Sequence, residues 1–543
     1  MTVTYQVPGV YIKELPPGSK NIQGVGTSMP AFIGFTERRP ANNDKPVFVA
    51  SLMEYQKKFG GPVDGFYLPY AVLGYFMNGG QSCYVQSLAT VAEANEKLSQ
   101  IAATALISTV DENRQLEIRS KLLGAEAKGI TVTIADAVAG AADDEAKVAA
   151  TTPAAPAPDE FSLTITVPGQ PPEEHPRVAA SKGTNKVPTL AETVSKSRWI
   201  ELVKASGSLP RPVNGIYELE LPKVGPLVTV KQVEGDVTRR EGLGAFEEVA
   251  EITMLIFPDL MTLYERSAQE DDDLRMVAGL QQALLIHCDK MKDRFAILDA
   301  PPGLDVEQVK RYRQEFLAVD EGIGKYGALY YPWVEIIDPA PRRGATNGSR
   351  FKLVPPSGHL AGIYARVDAD RGVHKAPANE GVRGAVKLER RLIDSEQALL
   401  NPIGVNCIRE FPGQGILVWG ARTLVPAESE WRYINVRRLF NFIEESIYEG
   451  TQWVVFEPND MDLWERVKRS VTAFLTRVWR SGALLGATPE QAFYVTCDAT
   501  NNPPEELDAG ILNVEIGIAP VKPAEFVVFS FRQIQGGGGG VSE

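Results

Sequence analysis

The alternation of apolar and polar positions is clearest between residues 431 and 482, where it predicts two helices. The first helix ends at Gly450 and the second at Gly482, because glycine accepts the left-handed conformation that closes many helices. The segment TQWVVFEP between them predicts a short β-rich run closed by Pro458. Projected at about 100° per residue, the second helix has one wide apolar arc, formed by Leu463, Trp464, Val467, Val471, Phe474, Leu475, Val478 and Trp479.

A narrow basic stripe lies opposite this apolar arc and consists of Arg466, Arg469, Arg477 and Arg480. The chain as a whole has a formal net charge of −13, so a helix face built from arginine alone is unusual here. Arginine is favoured at protein interfaces and binds carboxylates in a fixed geometry. The stripe therefore predicts either a docking surface for an acidic protein partner or an ordinary solvated helix face.

Residues 1–24 predict an extended arm rather than the start of a folded domain. Their apolar residues alternate with polar ones on either side of a Pro-Gly pair, at Val3, Tyr5, Val7, Val10 and Ile12. So few apolar positions cannot form a core within the arm itself. The arm is therefore either disordered or paired with an exposed sheet edge elsewhere.

The rest of the pattern predicts an α/β core that is interrupted by a β-rich segment. Residues 25–99 contain two strand patterns around two helix patterns, which is typical of an α/β layer. Residues 100–240 carry short strand patterns, among them LVTVKQV, and a low-complexity segment at 135–160. Helices and buried strands return in residues 241–510, with ALYYPWVEIID predicted as one strand and the run 354–379 as loop.

Residues 511–543 predict terminal strands followed by a flexible tail. ILNVEIGIAP and AEFVVFSFRQI are both strand-like and are joined by a short link that contains proline. The apolar side chains that mark the second of these strands are Phe526, Val528, Phe529 and Phe531. The glycine-rich end, GGGGGVSE, is typical of a flexible segment.

Composition narrows the classes of function. The chain has 543 residues, of which 44% are hydrophobic and 23% charged, an ordinary globular composition that supplies enough apolar residues for several cores. Its acidic balance argues against sequence-independent nucleic-acid binding, which needs lysine and arginine to displace counterions. The four cysteines are far apart and form no zinc or disulfide pattern. With no signal-peptide pattern and no apolar run near the ~20 residues of a membrane span, we expect a soluble protein that folds in the cytosol.

Motifs that would indicate catalysis are either absent or in the wrong context. GIGKYG at 322–327 has the glycine spacing of a dinucleotide-binding loop, but it follows a helix pattern and precedes a strand pattern. Neither a P-loop nor a G-x-S-x-G motif occurs. Asp299 ends a predicted strand, and we expect its carboxylate to cap the turn that follows. The sequence therefore predicts no nucleotide and no other cofactor.

Two groups of titratable residues have the residue types of a metal or catalytic site but are better explained as structural residues. His359, Asp368, Asp370 and His374 lie in the predicted loop, but their spacing fits no zinc pattern and a loop rich in glycine and proline holds ligands poorly. The triplet 287–289, His-Cys-Asp, lies on a predicted apolar helix, where a nucleophile would need a partner that the sequence does not place. We therefore expect no metal site and no enzymatic activity.

Several stretches, in order, resemble the contractile tail sheath proteins of phage tails and of phage-tail-like injection systems. PGVYIKELPPGSKNIQGVGTSMPAFIGFTERRP resembles the opening of that family, and RFAILDAPPG and VPPSGHLAGIYARVDADRGVHKAPAN resemble its middle part. GQGILVWGARTL followed by WRYINVRRLFNFIEESI resembles its most recognisable C-terminal block. The resemblance covers residues 1–95 and 245–535. The segment 100–240 does not share it, as expected of an outward-facing insertion that varies between sheaths.

The resemblance implies a fold and a set of partners. It implies an α/β (α+β) sheath core with an inserted β-rich domain and extended N- and C-terminal strand arms. In that family the arms complete a sheet shared with neighbouring subunits, and a C-terminal helix docks on an inner tube. The implied partners are further copies of the chain, the inner tube protein, and baseplate and terminator or cap proteins, with no nucleic acid and no membrane insertion. The implied location is a phage tail or tail-like particle assembled in the bacterial cytoplasm.

The resemblance also implies roles for residues. The arginine stripe would face the tube, and the apolar residues of both terminal arms would form the strands that pass between subunits. Without the resemblance, the residues themselves leave two other classes of function open. One is an α/β enzyme with a convergent polar pocket, and the other is a surface-binding module in which residues 100–240 bind and the rest is a scaffold.

Overall fold

The computed structural model describes residues 21–40, 45–63, 65–98, 102–110, 115–137, 159–180, 187–203, 209–221, 230–264, 270–340 and 350–530. The predicted arm residues Val3, Tyr5, Val7, Val10 and Ile12, the terminal Phe531, and most of the low-complexity segment lie outside the described residues.

The strands of the described chain are β1 (Pro30–Thr36), β2 (Val47–Val49), β3 (Cys83–Thr90), β4 (Ala102–Ser108), β5 (Gln115–Leu123), β6 (Thr131–Asp136), β7 (Glu160–Thr166), β8 (Glu173–Ala179), β9 (Ile200–Leu202), β10 (Gly215–Glu218), β11 (Met254–Ile256), β12 (Phe295–Asp299), β13 (Gly327–Tyr331), β14 (Val334–Ile337), β15 (Phe351–Val354), β16 (Glu380–Gly381), β17 (Ala385–Leu388), β18 (Val405–Phe411), β19 (Gly415–Trp419), β20 (Phe493–Thr496) and β21 (Glu515–Ile518).

The α-helices are α1 (Leu52–Phe59), α2 (Leu68–Met77), α3 (Val91–Leu98), α4 (Leu190–Lys196), α5 (Val230–Glu234), α6 (Glu270–Met291), α7 (Val306–Arg311), α8 (Glu321–Gly324), α9 (Ser357–Arg371), α10 (Asp394–Leu400), α11 (Ile434–Thr451), α12 (Met461–Arg480), α13 (Pro489–Ala492) and α14 (Pro504–Asp508). Helix α7 continues into a π-helical turn, and short 3₁₀ turns complete the set: Gly124–Ala127, Gly242–Glu248, Pro258–Leu263, Asn401–Ile403 and Gln452–Val454.

The body of the molecule is built on one mixed sheet of nine strands. Its order is β16-β19-β18-β13-β12-β11-β1-β3-β2, and the six strands from β18 to β3 are parallel. Strands β1, β12 and β13 are buried along their whole length, as expected of a parallel sheet that is covered on both faces. Helix α6 packs on one face, and helices α2 and α9 pack on the other. The mixed α/β fold predicted from the sequence is confirmed.

A second set of buried side chains lies within residues 103–219 and forms a core of its own. Around it are the four-stranded sheet β10-β6-β7-β8, the three-stranded sheet β4-β5-β9 and helix α4. Helix α4 begins with a capping box in which Thr189 accepts a hydrogen bond from the backbone N–H of Glu192. The alternating pattern of β7, with Phe161, Leu163 and Ile165 inward, predicts this half-buried sheet well.

The predicted loop 354–379 is wrong over most of its length, because residues 357–371 form helix α9. This helix is buried on nearly all sides, so its sequence lacks the apolar–polar alternation that marks a surface helix. Its glycines permit close contact with α2, since a Cβ on Gly358 would overlap the backbone of Ala71 and one on Gly362 would overlap Tyr75. The glycines that give this segment the composition of a loop are therefore required for the close packing of α9 on α2.

Four further predictions from the sequence are corrected. ALYYPWVEIID is two strands in different sheets, β13 and β14, separated at Pro332, which has no N–H to donate to a ladder. TQWVVFEP is a 3₁₀ turn and an exposed loop, because its apolar residues have no sheet to join. In LVTVKQV, residues 230–233 begin helix α5, and the rest lies outside the described residues. Asp299 caps helix α9 rather than its own turn, as Ser357 donates to it from N–H and hydroxyl at 2.8 and 2.5 Å.

Candidate assembly interface

Helix α12 has the amphipathic geometry predicted from its sequence. Asp460 caps its first turn by accepting a hydrogen bond from the N–H of Leu463 at 2.9 Å. The predicted apolar arc is buried at Leu463, Trp464, Val467, Val471, Phe474, Leu475 and Val478, and partly buried at Trp479. Helix α11 covers this face, with the rings of Phe442 and Phe474 6.0 Å apart. The opposite face of α12 carries the four predicted arginines.

The structure divides these arginines into two kinds. Arg469 and Arg480 are exposed and make no hydrogen bond or ion pair with other described residues. Arg466 is partly buried, pairs with Glu457 at 3.1 Å and lies 5.4 Å from the centre of the Trp453 ring. Arg477 donates to the side-chain oxygen of Asn21 at 3.0 Å and to the carbonyl of Ile22. Two of the four guanidinium groups therefore already have partners within the chain.

Residues 21–29, which we call the arm root, lie along helix α11 between α12 and strand β1. Ile22 is fully buried against Gly450, where a Cβ would lie 2.7 Å from it. The N–H of Val25 donates to Ser446 Oγ at 3.1 Å, and Arg438 donates to the carbonyl of Thr27 at 2.8 Å. The arm root is thus fixed on the α11–α12 hairpin.

The C-terminal segment is fixed at Glu525. Its carboxylate accepts two hydrogen bonds from Arg422, at 2.9 and 2.8 Å, and one each from Asn401 and Tyr433. Burial alone would raise the pKa of Glu525, but these donors, Arg422 first among them, hold it below its ordinary value. Beyond this point the predicted strand residues Phe526, Val528 and Phe529 are 75%, 85% and 76% exposed and belong to no sheet of the described chain.

A small sheet lies next to these terminal segments. Strands β20 and β21 pair antiparallel, from Phe493 opposite Ile518 to Thr496 opposite Glu515. Within the described residues neither strand pairs with a second strand along its own length, and an isolated antiparallel bridge joins Leu484 to Pro520 just beyond β21. Two-stranded sheets are marginal on their own and gain stability when further strands are added. This geometry can accept one extended segment on each side.

The carboxyl ends of the parallel strands, where many α/β enzymes place their chemistry, are occupied by two buried acids that cap helices. Asp259 accepts the N–H groups of Phe35, Tyr67 and Leu68, and Asp299 accepts from Ser357 as described above. Burial raises the pKa of each carboxyl to about 7. Both acids therefore stabilise helix starts in the packed body.

The other titratable residues singled out in the sequence are dispersed. His359 is buried in α9, where burial lowers its pKa to about 4, and Asp368 forms a buried ion pair with Arg438 at 2.6 Å. His287 and Cys288 lie on helix α6, and burial lowers the pKa of His287 to about 3. In the part of the chain that the structure describes, no three His, Cys, Asp or Glu side chains are grouped so as to hold a metal ion. Across the same residues, every helix is too short or too polar to span a bilayer.

Two family models match this arrangement of body and C-terminal hairpin. The model described as the phage tail sheath protein central domain matches residues 243–424, and the model of the phage tail sheath C-terminal domain matches residues 427–534. Together they span more than half of the chain. The chain belongs to the phage tail sheath protein family. The resemblance drawn from the sequence motifs is confirmed.

Sheath proteins of phages are similar to this family member over part of its length. It is 31% identical over 185 residues to the tail sheath protein of Vibrio phage KVP40, which covers 34% of this chain and 27% of that protein. It is 32% identical over 244 residues to the tail sheath protein of Burkholderia phage BcepMu, which covers 43% and 48%. Each match thus spans less than half of the phage protein's own length.

Solved structures of contractile injection systems share the fold over nearly the whole chain. The sheath complex of the extracellular contractile injection system PVC, in the contracted state, has a TM-score of 0.55 at 23% identity and covers 98% of this chain and 99% of its own. A chain of the contracted anti-feeding prophage baseplate has a TM-score of 0.60 at 21% identity and covers 97% and 99%. At such identities the likeness establishes the fold.

Three features of the interface could not be read from the sequence. The contacts of Arg477 join residues 455 positions apart, and those of Glu525 and Arg422 join residues 103 apart. The unpaired edges of β20 and β21 depend on which strands fold beside them. The sequence contains one weak indication of the Glu525 contact, since Glu525 is a lone carboxylate at the start of an otherwise apolar strand-like run.

Proposed function

We propose that this chain is the structural sheath subunit of a contractile tail or injection system. It polymerises as a helical sheath around an inner tube, and contraction of the sheath drives the tube through a target cell envelope. The observation that carries the proposal is the two-stranded sheet β20–β21, together with the exposed segment 526–529, which belongs to no sheet of the described chain. Head-to-tail addition of this kind does not close, so it generates an open helix.

The terminal arms supply the missing strands to neighbouring copies. Residues 1–20 carry the alternating apolar positions of an edge strand, and residues 526–529 carry exposed aromatic and β-branched side chains. Adding an extended segment to an unpaired sheet edge satisfies its backbone groups. The edge of the nine-stranded sheet at β2 is less suited to this, since Lys58 and Glu54 already bond to the backbone of Phe48 and Ala50 at 2.8 Å each.

Helix α12 docks the subunit on the tube. Arg469 and Arg480 are exposed on one face, with the small, exposed Ala473 between them, so an acidic surface can approach the helix closely. Arg466 and Arg477 extend the same face, although each also contacts its own chain. The tube protein, the baseplate and the terminator or cap proteins complete the set of partners.

The stroke uses energy stored at assembly. Subunits assembled on the tube are kinetically trapped above a contracted form, and the baseplate releases them. Each ring then rotates and widens, while the exchanged strands keep neighbours linked as the bodies move. The buried acids at the strand ends cap helices, and the glycine motif at 322–327 joins α8 to β13. The stroke is therefore proposed to use no nucleotide.

Residues 100–240 form the part of the subunit that faces outward from the sheath.

Deleting residues 1–20 tests the arm. We expect a soluble, folded subunit that does not form striated tubes by negative-stain electron microscopy. The matched control deletes residues 139–157 from the low-complexity segment and should polymerise normally. If the arm-deletion variant formed tubes like those of the wild type, strand exchange by the N-terminus would be excluded. If the control variant did not polymerise, the outward part would be misassigned.

Charge reversal tests the tube contact. The double variant Arg469→Glu/Arg480→Glu should lose co-sedimentation with inner tubes, while it still forms contracted sheath alone. The control reverses two exposed arginines distant from α12, Arg198→Glu/Arg239→Glu. Equal tube binding by both variants would show that the stripe is a solvated helix face.

A further inference from the structure

One of the four arginines has a different task from the others. We infer that Arg477 is a positioning residue that clamps the arm root, so that it fixes where the N-terminal arm leaves the body and couples the arm to helix α12. The inference rests on the proposed function only for the role of the arm. The clamp itself is a property of the isolated chain and can be tested there.

The geometry of Arg477 suits a clamp. Its two terminal nitrogens donate to different acceptors on adjacent residues, the side-chain oxygen of Asn21 and the backbone carbonyl of Ile22. The guanidinium also lies 6.0 Å from the centre of the Phe474 ring, which limits its rotation. A planar, forked donor can hold two acceptors at once, whereas the ammonium of lysine acts as a point charge. One acceptor is a main-chain carbonyl, so the contact fixes the backbone of the arm.

The arm root is held at points rather than packed along its length. Ile22 is seated against Gly450, Val25 is bonded to Ser446, and Thr27 is bonded to Arg438. Between these points two open cavities flank the root. One has a volume of about 500 Å³ and the other about 560 Å³, and both are lined in part by Val25 and Thr27. With few side-chain contacts along the root, the position of the backbone at Asn21 and Ile22 depends on the Arg477 contacts.

The position of the clamp makes the coupling direct. Arg477 lies in the last turn of α12, one turn before Arg480 and two turns after Arg469, the two arginines of the same face that make no hydrogen bond or ion pair with other described residues. The other end of the arm root reaches the body, where Met29 bonds to Thr253 just before strand β1. Any movement of α12 relative to the body therefore acts directly on Asn21 and Ile22 through Arg477. We propose that this one side chain links docking on a partner to the position of the arm root.

Hydrogen–deuterium exchange on the full chain tests the clamp without any tube. Arg477→Ala should make amide exchange in residues 21–25 about tenfold faster or more, because bonds from a charged donor are lost. Arg477→Lys should give an intermediate increase, since one donor can still reach one acceptor. Arg469→Ala is the matched control and should leave exchange there unchanged. Wild-type and variant chains are compared in the same assembly state, with α12 helicity checked by exchange in residues 463–475.

A second measurement separates the clamp from tube docking. Arg477→Ala should retain most of its co-sedimentation with inner tubes but form fewer ordered striated tubes, and Arg469→Ala should do the reverse. Unchanged exchange in Arg477→Ala, or a loss of tube binding equal to that of Arg469→Ala without faster exchange, would overturn the clamp. If instead exchange rises in Arg477→Ala while Arg469→Ala binds tubes normally, the clamp stands and the proposed tube contact falls.

Discussion

Glu525 and Arg422 form a forked ion pair in which Nε and Nη2 of the arginine donate to the two carboxylate oxygens at 2.9 and 2.8 Å. The guanidinium of Arg422 is nearly buried, and the carboxylate also receives bonds from Asn401 and Tyr433. Just after Glu525, from Phe526 to Phe529, the side chains become exposed. This pair is therefore for the C-terminal segment what Arg477 is for the N-terminal one, a fixed point from which an arm can extend.

Glu525→Gln should release the C-terminal segment. The variant leaves a nearly buried guanidinium without its counter-charge, which costs about 1.5–3 kcal/mol by the measure of bonds to charged groups. We expect faster amide exchange in residues 521–530 and fewer polymerised subunits. Glu505→Gln, an exposed carboxylate on α14, is the control and should change neither. Polymerisation of Glu525→Gln at the wild-type level would mean that the position of this segment does not matter for assembly.

The same pair predicts a response to acid. The pKa of Glu525 in the fold is below its ordinary value, so its contribution to stability is present above the unfolded pKa and is lost as pH falls through the folded pKa. We therefore expect the C-terminal segment to be protected from exchange, relative to the intrinsic amide rate at each pH, at neutral pH and to lose that protection only as pH falls below the ordinary pKa of glutamate, about 4. Glu525→Gln should have low protection at every pH. A wild-type segment that opens already near pH 6 would show that another group controls it.

Patterns that depend on neighbours in the chain were predictable, and contacts between distant residues were not. Helix α12 is predictable because one face is buried and the other is solvated, which leaves a 3.6-residue period. Helix α9 has the composition of a loop because its buried glycines and histidine serve packing against α2, which erases that period. The arginine stripe was found as a surface, yet the partner of Arg477 is 455 residues away and no periodicity indicates it.

Close packing of α9 on α2 predicts a severe effect of a small substitution. Gly358→Ala would place a Cβ on the backbone of Ala71, so it should lower the free energy of unfolding by about 1–3 kcal/mol or more, the usual cost of overpacking. Gly279→Ala in helix α6 is the control, because a Cβ there meets no atom within 4 Å. That variant should be neutral or stabilising by up to about 1 kcal/mol. Equal denaturant midpoints for the two variants would mean that the helices can separate without cost.

Asp299 predicts a pH dependence of the body. Burial raises its folded pKa to about 7, so between about pH 4 and 7 the folded state holds a proton that the unfolded state has released. Its contribution is therefore largest at low pH and is lost as pH rises through 7. Asp299→Asn keeps the cap on Ser357 without titrating, so its stability relative to wild type should rise by about 2 kcal/mol between pH 5 and 8. Denaturant unfolding at both values measures this, and a constant difference would mean that Asp299 is ionised throughout.

Phe456 lies at the tip of the α11–α12 hairpin, where it is fully exposed although its backbone φ is +68°. A bulky residue in this conformation costs about 1–3 kcal/mol, and here it buries nothing within its own chain. We expect that the ring contacts another chain in the assembled particle. Phe456→Gly should leave the stability of the subunit unchanged or raise it by up to about 1 kcal/mol, because glycine adopts positive φ without strain. The same variant should form fewer sheaths on tubes, as measured by sedimentation.

The control is Lys292→Gly, which relieves the same backbone strain at a residue on the body of the molecule, where φ is +65°. This variant should assemble normally. If Phe456→Gly assembles as Lys292→Gly does, the exposed ring has no partner.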